Sequence, residues 1–227
     1  MPVTNGRQRV LQTLNHQTPT RPAFSWGFGP TPEMSRVLES ELAERGLDWL
    51  TLRRTTEDIR GIKLPYKGPP IDADPFTGIW GIRQVSVSYM GGSYNEFTDF
   101  PLANVRSPRE LDDYPWPDPA WFDYTVMRSR HDETDPDRSR ATRLFGGNPF
   151  EIYCWLTGLE QAMINCLTRP ELVHAAMRHI TTFFAERLKR VMEQVSDLVD
   201  LVFLADDVGG QTGPLISPGT YRDLLAP

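Results

Sequence analysis

The chain has 227 residues, of which 39% are hydrophobic and 24% charged, a composition typical of a globular protein with a sizeable core. Its net charge of −6 comes from 30 acidic and 24 basic residues with no long run of either sign, which argues against nucleic acid or an anionic membrane as a partner. No apolar stretch approaches the ~20 residues that span a bilayer, and the N-terminus lacks the apolar core of a signal peptide. These features predict a cytoplasmic protein.

Short apolar runs alternate with helical patterns along the chain. Thr31 and Asn148 each precede a proline, as at the start of a helix, and the longest amphipathic pattern covers 169–196. Helix followed by a nearly continuous apolar run is typical of α/β proteins, whose parallel strands are buried on both faces. The sequence predicts four parallel strands, at 23–26, 47–52, 141–145 and 198–205.

Two further features lie outside this alternation. Residues 78–97 alternate in polarity around Gly91 and Gly92, which predicts an antiparallel hairpin. Cys154 and Cys166 are the only cysteines and fall in what reads as one helical segment, about three turns apart and too distant to form a disulfide. We expect both to be reduced thiols in the core.

The last predicted strand ends on two adjacent carboxylates, Asp206 and Asp207, followed by Gly209, Gly210 and Gln211. The carboxyl ends of strands are where α/β proteins place their chemistry, so the two aspartates are candidate catalytic residues: hydrogen-bond acceptors, proton donors or cation ligands. An Asx-turn at the strand exit explains them as well. Similarly, the two glycines and Gln211 either contact a substrate or complete a turn.

Other candidate substrate-binding residues follow strand ends. Trp26, Phe28 and Phe150 could form an apolar wall for a flat ligand, although core packing also explains them. Asn148 joins them as a candidate, whereas Glu151, three residues later, fits a helix-capping box better than a catalytic role. The four histidines are scattered, and no spacing indicates a metal site.

Three segments, 7–22, 150–160 and 205–222, resemble the uroporphyrinogen decarboxylase superfamily in their order and spacing. The resemblance implies a TIM-type (β/α)₈ barrel, of which this chain would supply about the first half: four parallel strands plus the hairpin, as a single incomplete domain over 1–227. Because a half-barrel leaves strand edges unpaired, we expect the chain to be a fragment, a truncated gene product, or a half completed by another chain, as in a homodimer.

The same resemblance implies an enzyme that acts on a tetrapyrrole or tetrapyrrole-linked substrate. A decarboxylase of this kind uses acid–base chemistry without a cofactor, and Asp58, in Glu-Asp-Ile, matches the family's catalytic aspartate. The substrate-gripping arginines of the decarboxylases are absent from 24–30, and Asp207 replaces their serine. A corrinoid-dependent methyltransferase, with zinc and corrinoid bound in a full-length protein, is therefore an alternative, as is a truncated, non-catalytic relative.

Overall fold

A computed structural model describes residues 4–71 and 78–225 of the chain, with helices and strands in alternation. The strands are β1 (Ile59–Gly61), β2 (Arg83–Tyr89), β3 (Gly92–Asp99), β4 (Ala141–Gly147) and β5 (Leu201–Leu204). The helices are α1 (Gly6–Leu14), α2 (Pro32–Ala43), α3 (Trp49–Thr56), α4 (Pro108–Asp112), α5 (Met127–Thr134), α6 (Pro149–Thr157), α7 (Leu159–Thr168), α8 (Pro170–Val195) and α9 (Pro218–Leu224), with a short 3₁₀ helix at Pro119–Trp121.

Three strands form a parallel sheet in the order β1-β4-β5, with β4 as the central strand. Ile59 of β1 pairs with Ala141 of β4, and Arg143 of β4 pairs with Leu201 of β5. Strand β4 is largely buried although Thr142 and Arg143 interrupt its apolar sequence, whereas β5, within the continuous apolar run, alternates between half-buried and exposed residues and is not buried on both faces. The α/β class and the strands at 141–145 and 198–205 are thus confirmed.

The prediction of four parallel strands in a half-barrel is wrong, because the described residues form three parallel strands and no TIM barrel. Residues 47–52 enter helix α3 instead, since the Asp48 side chain accepts a hydrogen bond of 2.6 Å from the Thr51 N–H and caps the helix. Residues 23–26 are not a strand; this segment is joined to the chain before β1 by a hydrogen bond of 2.9 Å from the Asp58 N–H to the Phe24 carbonyl.

The predicted hairpin is present as β2 and β3, a separate antiparallel pair. Tyr89 pairs with Gly92, so Met90 and Gly91 form the turn. Gly91 has a φ of +111°, a conformation that glycine adopts without steric cost.

Helix α8 contributes more buried hydrophobic residues to the core than any other helix or strand. Its buried positions recur at helical spacing, as predicted for 169–196, and pack against α6, α7 and β4. Phe183 and Phe184 lie against the fully buried ring of Trp80, with centroids 4.9 and 5.7 Å away. In residues 4–71 and 78–225, no helix, α8 included, combines the length and apolarity needed to cross a membrane.

The two cysteines lie in successive helices, not in one as predicted. Gly158, with a φ of +84°, ends α6 and separates Cys154 from Cys166 of α7. Both thiols are free and buried, as expected for core thiols. Burial raises the pKa of Cys166, and raises that of Cys154 to about 12.

Candidate functional site

The carboxyl ends of β4 and β5 meet at one edge of the parallel sheet. The Ala205 N–H, just after β5, donates a hydrogen bond of 3.1 Å to the Gly147 carbonyl at the end of β4. Asn148 therefore follows one strand where Asp206 follows its neighbour. This arrangement brings two of the sequence-predicted site residues together, and Glu151 of α6 joins them.

Asp206, which follows strand β5, caps helix α6, which follows the neighbouring strand β4. Its Oδ1 accepts a hydrogen bond of 2.9 Å from the Glu151 backbone N–H, and the Phe150 N–H also donates to this carboxylate. The side chain of Asn148 makes no capping hydrogen bond, so the predicted capping box is absent. A carboxylate at a helix N-terminus is favoured by the helix dipole.

The Glu151 side chain takes no part in capping α6 and lies beside the side chains of Asn148 and Asp207. Asn148 Nδ2 donates a hydrogen bond of 2.5 Å to its Oε2, and Asp207 interacts with the same carboxyl group. Burial raises the pKa of Glu151; the Asn148 hydrogen bond opposes this and the neighbouring Asp207 adds to it. We refer to Glu151, Asp206 and Asp207 as the carboxyl cluster.

The pKa of Asp206 rises to about 6. The main cause is desolvation by the surrounding atoms, and the nearby Glu151 and Asp207 carboxyl groups add to it, against the two backbone N–H donors. The residue nevertheless remains accessible from solvent. A carboxyl group with these properties can exchange a proton near neutral pH.

Asn148, next to the carboxyl cluster, has a buried side-chain oxygen without a hydrogen-bond partner among the described residues. The residue is 3% exposed, and its Oδ1 has no hydrogen-bond partner. Buried amide oxygens are normally paired, so this one is an unsatisfied acceptor enclosed beside the carboxyl cluster. Gly147, with a φ of +148°, sets the chain direction just before Asn148; a Cβ there would lie 2.6 Å from the Phe184 ring.

Asp58 lies elsewhere, at the amino end of β1 and so at the opposite edge of the parallel sheet from Asp206. It is 1% exposed and forms ion pairs of 2.6 Å with Arg9 and 2.8 Å with Arg21. Burial by itself would raise the pKa of Asp58, but these arginines and the Phe24 N–H lower it below its usual range. This geometry fits a structural ion pair that links β1 to the N-terminal segment.

The three aromatic candidates do not form one wall. Phe150 is 1% exposed and belongs to the core, where its ring lies near Tyr153. Trp26 packs edge-on against Trp49 of α3, with centroids 5.0 Å apart. Phe28 is 91% exposed, with its ring 6.5 Å from that of Phe203 in β5. Only Phe28 is thus available to an incoming molecule on the β5 side.

The glycines after Asp207 shape a tight loop. Gly209 forms a bridge with Pro214, and the Gly210 N–H donates a hydrogen bond of 2.7 Å to the Gly213 carbonyl. Gln211 is exposed in this loop. The backbone hydrogen bonds favour the turn interpretation for both glycines and leave the Gln211 side chain accessible.

Sequence reasoning missed Glu151 as a member of the cluster, because the Asn148–Glu151 spacing imitates a capping box. Among the described residues, no group of three or more His, Cys, Asp or Glu side chains is arranged to hold a metal ion. Comparisons with models of known protein families, with curated proteins and with solved structures find no match to this chain.

Proposed function

We propose that the protein is an acid–base enzyme in which Asp206 donates a proton to the substrate. The observation that carries the proposal is the convergence of the carboxyl cluster beside the unpaired Oδ1 of Asn148, at the carboxyl ends of two parallel strands. Carboxyl groups that share one site cannot all ionise easily, so at least one retains its proton closer to neutral pH. Such a proton is available for general acid catalysis.

The sequence resemblance adds a reaction to this chemistry: decarboxylation of a tetrapyrrole, as in the uroporphyrinogen decarboxylase superfamily. In this reaction Asp206 would protonate a pyrrole ring carbon, and the electron pair left by the departing CO₂ would flow into the ring and leave an exocyclic methylene on the side chain. A proton from solvent would convert that methylene to methyl while the ring proton returns to Asp206, and a remaining carboxylate of the cluster would stabilise the cationic intermediates. A cluster that keeps a proton also repels the substrate's own carboxylates less than a fully ionised one. The exposed ring of Phe28 offers an apolar contact for a flat macrocycle.

The test is anaerobic incubation of the protein with uroporphyrinogen, followed by chromatography of the oxidised products to count their carboxyl groups. We expect products with fewer carboxyl groups, and a rate that falls as pH rises through about 6, where Asp206 loses its proton. Asp206→Asn keeps the oxygen that caps α6 but has no proton to donate, so we expect a rate loss of about 10² or more.

Asp223→Asn is the matched control, because Asp223 is an exposed aspartate of α9. It should leave the rate unchanged. Decarboxylation that proceeds equally in Asp206→Asn would refute the role of Asp206, and a wild-type protein that releases no CO₂ from the macrocycle would refute the decarboxylase assignment.

A further inference from the structure

A cavity of about 220 Å³ lies between the sheet and helix α8, separate from the carboxyl cluster. Leu144 and Phe145 of β4 form one side, and Arg187, Leu188 and Val191 of α8 form the other. Among the described residues that line it, Arg187 is the only charged one. The volume is below the ~300–1,000 Å³ of pockets that hold drug-sized ligands, so it suits a smaller molecule.

Arg187 is a buried cation without an anionic partner in the described parts of the chain. The residue is 8% exposed, and its one hydrogen bond to a described residue is from Nη2 to the Phe145 carbonyl, at 3.1 Å. A guanidinium carries five N–H donors, so residues 4–71 and 78–225 leave most of its donor capacity unused. Desolvation lowers the pKa of Arg187 to about 10.

Aromatic rings surround the guanidinium without neutralising it. Its central carbon lies 5.0 Å from the ring centroid of Phe184 and 5.7 Å from that of Phe183. Such cation–π contacts contribute modestly, whereas a buried charge is normally paired with an opposite one. Arginine presents its donors as a planar fork that matches the two oxygens of a carboxylate.

We propose that this cavity binds a small organic acid, whose carboxylate pairs with Arg187 while its aromatic or alkyl body fills the apolar remainder. The apolar walls favour such a ligand over an inorganic anion, which could not use Leu144, Leu188 or Val191. The Tyr66 hydroxyl, the other polar side-chain group at the cavity, already donates a hydrogen bond of 2.8 Å to the Pro69 carbonyl. Arg187 therefore supplies the recognition of charge. This site is independent of the proposed function.

The test is a ligand-observed NMR titration with benzoate, the uncharged benzamide and inorganic phosphate. We expect benzoate to bind at least about tenfold more tightly than benzamide, because a charge-assisted hydrogen bond is worth that factor or more. Arg187→Met, which keeps the apolar stem, should remove this preference. Arg190→Met is the matched control: Arg190 lies on the same helix but pairs with Glu186 at 2.9 Å, and the preference should persist.

The proposal fails if benzoate and benzamide bind with equal affinity, if Arg187→Met binds benzoate undiminished, or if phosphate binds as tightly as benzoate. A second variant, Ile62→Phe, fills the cavity from the segment after β1 and leaves the guanidinium in place. It should weaken benzoate binding at least about tenfold, and it decides the question if Arg187→Met does not fold. Unchanged benzoate affinity in a folded Ile62→Phe protein would place the ligand outside this cavity.

Discussion

The Asp206 carboxylate accepts a hydrogen bond of 2.9 Å from the backbone N–H of Glu151, a residue 55 positions earlier in the chain. This bond ties the exit of β5 to the first turn of α6. It also holds the carboxyl group of Asp206 close to that of Glu151, which adds to the rise in the pKa of Asp206 caused mainly by desolvation. An asparagine at position 206 keeps the capping oxygen and removes the charge, which separates the two roles.

The first prediction concerns the pH dependence of stability at Asp206. Because its pKa in the folded protein is raised to about 6, above the ordinary ~3.9, the folded state holds the proton more tightly than the unfolded chain. The resulting stabilisation is fully present below about pH 4 and is lost as pH rises to about 6. The free energy of unfolding of Asp206→Asn, relative to wild type, should therefore increase between pH 4 and pH 6 and level off above that.

Urea unfolding at pH 4, 5, 6 and 7 measures this difference. The Asp223→Asn variant, altered at an exposed position, should follow the wild type in parallel at every pH. A flat difference between Asp206→Asn and wild type across this range would mean that the pKa of Asp206 is not raised in the folded protein.

The second prediction concerns Asp58. Its substitution by asparagine leaves Arg9 and Arg21 without their shared carboxylate, and breaking a buried ion pair costs about 3 kcal/mol or more. We therefore expect Asp58→Asn to lower the free energy of unfolding by about that amount at pH 7. Since the folded pKa is lowered, this stabilisation is present above the ordinary pKa and is lost as pH falls through the folded one.

Urea unfolding at pH 7 and pH 3 tests both parts: the deficit of Asp58→Asn should be large at pH 7 and smaller at pH 3. Asp137→Asn, at an exposed aspartate, is the control and should cost little. A wild-type stability for Asp58→Asn at pH 7 would contradict the structural role of this residue and reopen a catalytic one.

The third prediction concerns Gly147, which directs the chain from β4 toward Asn148. Alanine at this position meets two penalties, a φ of +148° and a Cβ only 2.6 Å from the Phe184 ring. We expect Gly147→Ala to lower the free energy of unfolding by about 2 kcal/mol or more. Gly61→Ala, in β1, is the matched control because no atom lies within 4 Å of its added Cβ. Equal thermal stability of the two variants would count against the strain at Gly147.

The sequence predicts those parts of the fold whose signals are long. Helix α8 shows its period over 26 residues, and the apolar run at 198–205 contains β5. Strand β1 has three residues, Ile-Arg-Gly, and is defined by its pairing with β4, which no local pattern reveals. At 47–52 the apolar residues suggested a strand, but the Asp48 cap starts a helix there.

The residues of the candidate site also fall into those that the sequence predicts and those that it does not. Asp206 was identifiable because it ends an apolar run, and the position of such a residue in a parallel sheet follows from topology. Whether Glu151 belongs to a capping box or to the carboxyl cluster depends on which residue caps α6. Asp206, at the end of the neighbouring strand, caps this helix in place of Asn148, and no local sequence pattern reveals that contact. Arg187 falls in a helical pattern whose charged residues normally face solvent, so its burial was not foreseeable.

The last prediction concerns the two thiols, which test whether the core around α6 and α7 is closed. Cys154 is 7% exposed and Cys166 6%, and burial raises the pKa of both, so neither forms the reactive thiolate at pH 7. We expect no reaction with Ellman's reagent in the native protein over minutes, and release of two equivalents of thionitrobenzoate in 8 M urea, roughly full unfolding conditions for a domain of this size. The native-state rate should then follow the fraction of open molecules, rising in parallel with global unfolding as urea is added. One thiol that reacts rapidly without urea would show that its helix opens locally or that the packing around it is looser than the structure indicates.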